Sequence, residues 1–87
     1  MTLNLARDVT LTPTDSGSVL LDGRRGVYWQ LNASGSAILR RLLDGATPDA
    51  TARLLAETVP VSEEQALTDV TAIIDALSTA KLVEVTQ

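Results

Sequence analysis

The segment Gly26-Val27-Tyr28-Trp29-Gln30-Leu31-Asn32 divides this chain into two parts. It contains both aromatic residues of the protein, Tyr28 and Trp29, and aromatic and β-branched side chains favour a pleated, half-buried surface. We therefore predict a β-strand here, followed by a helix for which Asn32 or Ser34 can be the N-cap. The chain before this segment has the pattern of short strands, and the chain after it has the pattern of helices.

The composition restricts both the fold and the chemistry. The chain has 87 residues, of which 45% are hydrophobic, and this predicts a single domain, residues 1–87, with one core. It contains no Cys and no His, which excludes disulfides, thiolate or imidazole metal sites and His-based acid–base catalysis. It also has no bilayer-length apolar run and no signal-peptide pattern. We expect a cytoplasmic protein that is not an enzyme and has no cofactor or metal.

Two more strands are predicted before the central segment. Residues 8–12 alternate polar and apolar side chains, as a half-buried strand does, and Pro13 either ends this strand or marks an edge of the sheet. Residues 18–22 form the second predicted strand. Short turns join the three strands, which predicts an antiparallel meander. Residues 1–7 are interpreted as a weakly patterned lead-in without an element of its own.

Three helices are predicted after the central segment. The first covers residues 33–44, and Gly45 fits its C-terminal stop. The second has Thr47 as N-cap and Pro48 as first residue, the favoured position for proline, and ends near residue 58. The third begins with a capping box at residues 62–65 and ends near residue 80. Residues 82–85 are either a final strand or a packed tail.

Together these elements predict an α+β, winged helix-turn-helix-like domain, in which a three-stranded antiparallel sheet is followed by three helices. The third helix has an apolar stripe that is predicted to face the core. Its members are Ala66, Val70, Ile73, Ile74 and Leu77.

A small winged-helix DNA-binding transcription regulator is one function that fits this fold. The third helix would then be the recognition helix. It is rich in acidic residues, however, and the net charge of the chain is -4, so its surface would repel phosphates. We keep DNA binding as the alternative function, and we expect most of the carboxylates to form a solvated surface.

The open edge of the sheet favours a peptide-binding function instead. A strand at an edge has backbone groups that another chain can pair with. In the central segment, residues 27, 29 and 31 share one face, and residues 28 and 30 share the other. On the third helix, small side chains beside the core stripe leave room for the larger side chains of a partner, although alanines there are also simply good helix formers. The candidate peptide-binding residues are Val27, Tyr28, Trp29, Gln30, Leu31, Asp69, Ala72, Ile73 and Ala76.

The order of several short motifs resembles the PqqD-like family of precursor-peptide recognition elements, and the resemblance covers about residues 8–85. It is carried by residues 19–22, 26–32 and 42–45 and by Gly35, Ile38, Asp69, Val70, Ile73, Leu77, Leu82 and Val83. Ile73 stands where an aromatic residue is often found in this family. A free-standing chain with a Tyr-Trp-x-Leu-Asn strand looks most like the family members that serve lasso-peptide pathways.

The resemblance implies a non-catalytic adaptor for the leader segment of a ribosomally made precursor peptide. The leader would add as a strand antiparallel to the third strand, with its apolar side chains in a groove against the third helix. The adaptor would then deliver the precursor to a leader peptidase and a cyclase, with no nucleic acid or membrane as partner. Two flanks of the third helix are candidates for the groove wall, one with Ala72 and Ala76 and the other with Leu67, Thr71 and Ile74.

Overall fold

The computed structural model describes residues 2–86. Its strands are β1 (Thr2–Leu5), β2 (Val9–Thr14), β3 (Gly17–Asp22), β4 (Val27–Asn32) and β5 (Val83–Thr86), and its helices are α1 (Ala33–Leu43), α2 (Pro48–Thr58) and α3 (Glu63–Thr79). Strands β2, β3 and β4 form an antiparallel sheet in that order. The predicted α+β fold, a three-stranded meander followed by three helices, is confirmed.

The helix starts follow the predicted capping. Asn32, Thr47 and Ser62 each accept a side-chain hydrogen bond from the backbone N–H three residues later, at 2.8, 3.1 and 3.0 Å. Each bond satisfies a donor that would otherwise have no partner within its helix. Helices α1 and α3 end slightly earlier than predicted, with Asp44 and Ala80 as C-caps, and α2 ends at Thr58 as predicted.

The N-terminal residues form a strand that the sequence analysis did not predict. The interpretation of residues 1–7 as a lead-in without an element is wrong for Thr2–Leu5, which pairs antiparallel with Val83–Thr86 in a second, two-stranded sheet. Met1 lies outside the described residues. The same pairing decides that residues 82–85 contribute to a strand rather than a packed tail. The two strands stand at opposite ends of the sequence, so no local pattern reveals their pairing.

The core is formed by side chains of both sheets and of the helices. Its largest fully buried apolar side chains are Leu3, Leu20, Leu39, Leu42, Val70, Leu77 and Leu82. Of the stripe predicted on α3, Ala66, Val70 and Leu77 are buried, whereas Ile73 and Ile74 are only half-buried. The stripe therefore has a partly open flank. None of the helices within residues 2–86 has the length and apolar character needed to cross a membrane.

Candidate functional site

Strand β4 lies at an edge of its sheet. It pairs with β3 on one side, and no other described strand pairs with its second side. Residues 27, 29 and 31 stand opposite the buried side chains of Asp22, Leu20 and Ser18, so they share the face directed toward the helices. Tyr28, which is 71% exposed, and Gln30 lie on the outer face.

The hydrogen bonding between β2 and β3 shows which positions are bonded pairs. The backbone N–H of Gly23 donates to the carbonyl oxygen of Asp8 at 2.8 Å. In an antiparallel ladder, bonded pairs alternate with non-bonded pairs, so residues 17, 19 and 21 of β3 bond to β2. Pro13, which has no N–H, then falls at a non-bonded position on the outer edge of β2. The strand continues through it, and it marks an edge, as one of the two predictions for it states.

The same alternation fixes the direction of the backbone groups of β4. Residues 18, 20 and 22 of β3 bond to β4, and their partners are residues 31, 29 and 27. The N–H and C=O groups of Tyr28 and Gln30 therefore point away from β3, toward the open edge. These four groups are the ones that an added strand would pair with.

A groove of about 480 Å³ lies between the first turn of α1, the end of α2 and the middle of α3. It is lined by Asn32, Ser34, Gly35, Ile38, Leu55, Val59, Val61, Asp69, Ala72 and Ile73. Most of these side chains are apolar, and Asp69 is the one charged residue among them. Asn32, the last residue of β4, connects the groove to the sheet edge.

Gly35 allows α1 to pass close to β4. A Cβ atom at this buried position would lie 3.3 Å from the Asn32 side-chain oxygen and 3.5 Å from a methyl group of Leu31. The missing side chain at Gly35 therefore allows the first turn of α1 to lie close to Leu31 and Asn32 at the position where Gly35 lines the groove.

The turn between β3 and β4 is tied to the C-terminal end of α3. The buried carboxylate of Asp22 accepts hydrogen bonds from the backbone N–H of Arg24 at 3.0 Å and from Arg25 Nε at 2.6 Å. Arg25 Nη2 also donates to the carbonyl oxygen of Ala80. A cation is favourable at this position because the last carbonyl groups of a helix carry partial negative charge.

The hydrogen bond from the Arg25 side chain lowers the pKa of Asp22. Burial of the carboxyl group raises this pKa, and the backbone N–H groups of Arg24 and Arg25 lower it. The net direction is downward, so Asp22 is ionised at neutral pH and holds Arg25 in place against α3.

The Arg25–Ala80 contact ties the turn before β4 to the end of α3, and Asn32, the last residue of β4, lines the groove together with residues from the middle of α3. The six residues of β4 extend for about 20 Å. Along α3, the rise from Asp69 to Ala80 is about 16 Å. The open edge of β4 and this part of α3 are each long enough to accompany an extended segment of about five residues.

The predicted site residues fall into two groups in space. Val27 to Leu31 form the edge strand, where Trp29 is half-buried against the core and outside the groove lining. Asp69, Ala72 and Ile73 line the groove, and Ala76 is exposed one turn further along α3, outside the lining.

Six residues of α1, α2 and the connection after α2 line the groove but were not predicted from the sequence. These residues are Ser34, Gly35, Ile38, Leu55, Val59 and Val61. One signal was present in the sequence: Val59 and Val61 flank Pro60 in the short connection between α2 and α3, where apolar side chains have no helix to bury them.

The other flank of α3 carries a shallower depression of about 450 Å³. It is lined by Leu67, Thr68, Thr71, Ala72 and Asp75. Ala72 borders both depressions, so a change at Ala72 cannot distinguish them, whereas Ser34 and Thr71 each border only one.

The fold and the site together define a small α+β domain whose open sheet edge lies beside a helix-lined groove. The sequence model of the family described as "Coenzyme PQQ synthesis protein D (PqqD)" matches residues 17–83. The chain belongs to this PqqD family, and the resemblance seen in its sequence motifs is confirmed.

Two solved structures are similar to this chain over nearly its whole length. One is described as "Lasso peptide synthetase B1 complexed with the leader peptide"; it has a TM-score of 0.93 and 35% sequence identity, covering 98% of this chain and 100% of the other. The second is "TbiB1 in Complex with the TbiA(beta) Leader Peptide", with a TM-score of 0.85, 25% identity, and coverage of 100% and 99%. None of the curated proteins matches this chain in sequence.

Proposed function

We propose that this protein is a non-catalytic adaptor that binds the leader segment of a ribosomally synthesised precursor peptide of the lasso type. The observation that carries the proposal is the open edge of β4 beside the groove, in a chain that is similar to two proteins solved with leader peptides. On this proposal, residues 1–87 act as one recognition domain.

The leader would add to the sheet as a strand antiparallel to β4. Its backbone would pair with the outward N–H and C=O groups of Tyr28 and Gln30, and these bonds do not depend on the peptide's side chains. Alternate side chains of the peptide would point toward α3 and pack against Ala72 and Ile73. Burying a large apolar side chain there contributes about 1.5–3 kcal/mol, so the groove rather than the edge would select the leader sequence.

Asp69 would add a requirement for a hydrogen-bond donor. Its carboxylate is half-buried in a mostly apolar groove and accepts a hydrogen bond from the side chain of Gln65 at 3.0 Å. Within residues 2–86 it forms no ion pair. A basic or hydroxyl-bearing side chain on the peptide would complement it, and an acidic one would be rejected.

Binding at the edge would leave the outer face of the sheet uncovered, where Tyr28 is exposed. The adaptor would deliver the bound precursor to a leader peptidase and then to a cyclase. In this arrangement the enzymes supply the chemistry, and this chain supplies selective binding.

Peptide binding, monitored by the fluorescence of Trp29, tests this proposal. The probes are the TbiA(beta) leader peptide and a display library of random 20-residue peptides. We expect peptides with alternating apolar residues to bind with a Kd of about 10 µM or tighter.

Replacing Gln30 with Pro removes one backbone N–H that points toward the open edge and should weaken this binding. The variant should still fold, because Pro13 already occupies an equivalent outward-pointing position in the other edge strand, β2. The proposal fails if no peptide from the library binds the folded protein more tightly than about 100 µM. Equal affinity of a folded Gln30→Pro variant would also contradict it.

A further inference from the structure

A second, smaller cleft lies between α1 and α2. It has a volume of about 120 Å³. Its lining residues are Ala37, Ile38, Arg41, Thr51, Leu54, Leu55 and Thr58. Ile38 and Leu55 also line the groove described above, so the groove and this cleft lie side by side and share two wall residues.

The polar groups of the cleft indicate what it can bind. Arg41 is its one charged residue; it is exposed and forms no ion pair within residues 2–86. Thr51 is buried, and its hydroxyl group has no hydrogen-bond partner among the described residues. Buried polar groups in folded proteins usually have a partner. The remaining walls are mostly apolar, which suits an aliphatic stem that ends in an acidic group.

We propose that this cleft is a second subsite for the precursor peptide and takes an Asp or Glu side chain from the residues N-terminal to the β4-paired strand. This inference rests on the proposed function. In a peptide antiparallel to β4, the N-terminal end of the paired strand lies at Asn32, which borders the groove. A chain that continues in this direction reaches Ile38 and Leu55, and beyond them the cleft.

The length of this path fixes the position of the acidic residue. From Gly35 to Arg41 along α1 the rise is about 9 Å, which an extended chain spans with about three residues. The acidic side chain should therefore stand about three to five residues before the paired strand.

The two subsites carry opposite charges, with Asp69 in the groove and Arg41 in the cleft. A peptide with an acidic residue first and a donor residue later would satisfy both. A peptide inserted in the opposite direction would place like charges together, so the pair of charges also selects the antiparallel orientation.

The test uses the tightest-binding library peptide, with five residues added before its strand-forming core. Glu or Gln is placed at each added position in turn. We expect Glu to bind about two- to fivefold more tightly than Gln at one of the positions three to five residues before the core, the gain of an exposed ion pair. The variant Arg41→Glu should abolish this gain and make Lys preferable at the same position.

Arg40→Glu is the matched control. Arg40 is the exposed neighbour of Arg41 on α1 and does not line the cleft, so its replacement gives the same change of net charge. The gain from Glu should persist in this variant. Equal binding of Glu and Gln at every position, or loss of the gain in Arg40→Glu, would overturn the second subsite. Failure of the core peptide itself to bind would instead overturn the proposed function, and this inference with it.

Discussion

Replacing Ser34 with Trp should close the groove without disturbing the fold. Ser34 is exposed, is the second residue of α1 and lines the groove. Ser and Trp have similar helix propensities, and substitutions of exposed residues usually change stability by less than about 0.5 kcal/mol. The indole can cover about 150–250 Å² of surface, enough to occupy the position of one peptide side chain.

The expected loss of affinity follows from that displaced side chain. A large apolar side chain that can no longer be buried in the groove forfeits about 1.5–3 kcal/mol. This corresponds to a peptide Kd that is roughly tenfold to a hundredfold weaker. The assay is the anisotropy of a fluorescein-labelled peptide, and thermal unfolding followed by circular dichroism checks that the variant is folded.

Thr71→Trp is the matched control for this prediction. Thr71 is also an exposed polar residue of a helix and receives the same large side chain, but it borders only the flank of α3 opposite the groove. Its peptide affinity should stay within about twofold, well below the energy of one buried side chain. In the reverse result, Thr71→Trp would weaken binding and Ser34→Trp would leave it unchanged. This would place the peptide on the flank of α3 with Leu67 and refute the claim that it binds in the groove.

Three further predictions concern salt, pH and packing. The affinity for the leader peptide should change by less than roughly tenfold between 50 and 200 mM salt. A protein with many phosphate contacts loses about a thousandfold or more in affinity over the same range. Binding to duplex DNA that weakens steeply with salt would instead favour the alternative function, a DNA-binding transcription regulator. Because the pKa of Asp22 is lowered in the folded state, its stabilisation is present above about pH 4 and is lost as pH falls through the lowered pKa. The melting temperature of Asp22→Asn should therefore lie below that of the wild type at pH 7, and the difference should shrink as the pH falls through the lowered pKa of Asp22. A Cβ atom at Gly17 would lie 2.0 Å from the carbonyl oxygen of Leu31, so Gly17→Ala should cost about 2 kcal/mol or more in urea unfolding.

Local signals in the sequence were sufficient for most of the fold. The caps at Asn32, Thr47 and Ser62 each accept a hydrogen bond from the backbone N–H of a residue only three positions away, so the accepting side chain and its donor both lie within a short window of sequence. The pairing of β1 with β5 is the opposite case, since it joins Thr2–Leu5 to Val83–Thr86. Four residues at each end carry too short a pattern to identify a partner so distant in sequence.

The candidate site could be predicted where it depends on topology and periodicity. A meander order places β4 at an edge, and the alternation of residues 27–31 assigns their faces. The groove, by contrast, is assembled by packing three helices together, so only the three-dimensional structure identifies Ser34 and Leu55 as wall residues.

Asp22 is buried, an exception to the solvated majority of carboxylates that the sequence predicts. It occupies an inward position of β3, two residues after the buried Leu20, and is followed by Arg24 and Arg25. The inward register together with an adjacent cation was the available sign that this carboxylate is buried and paired.

Amide hydrogen exchange at Tyr28 and Gln30, measured by NMR, tests the addition of a peptide strand to β4 most directly. In the unbound protein these two N–H groups face the open edge and should exchange faster than those of Trp29 and Leu31, which bond to β3. With saturating leader peptide, exchange at Tyr28 and Gln30 should slow by roughly tenfold or more, because each N–H gains a carbonyl partner. If the peptide binds and both amides exchange at their unbound rates, the peptide does not pair with β4 and the central claim is wrong.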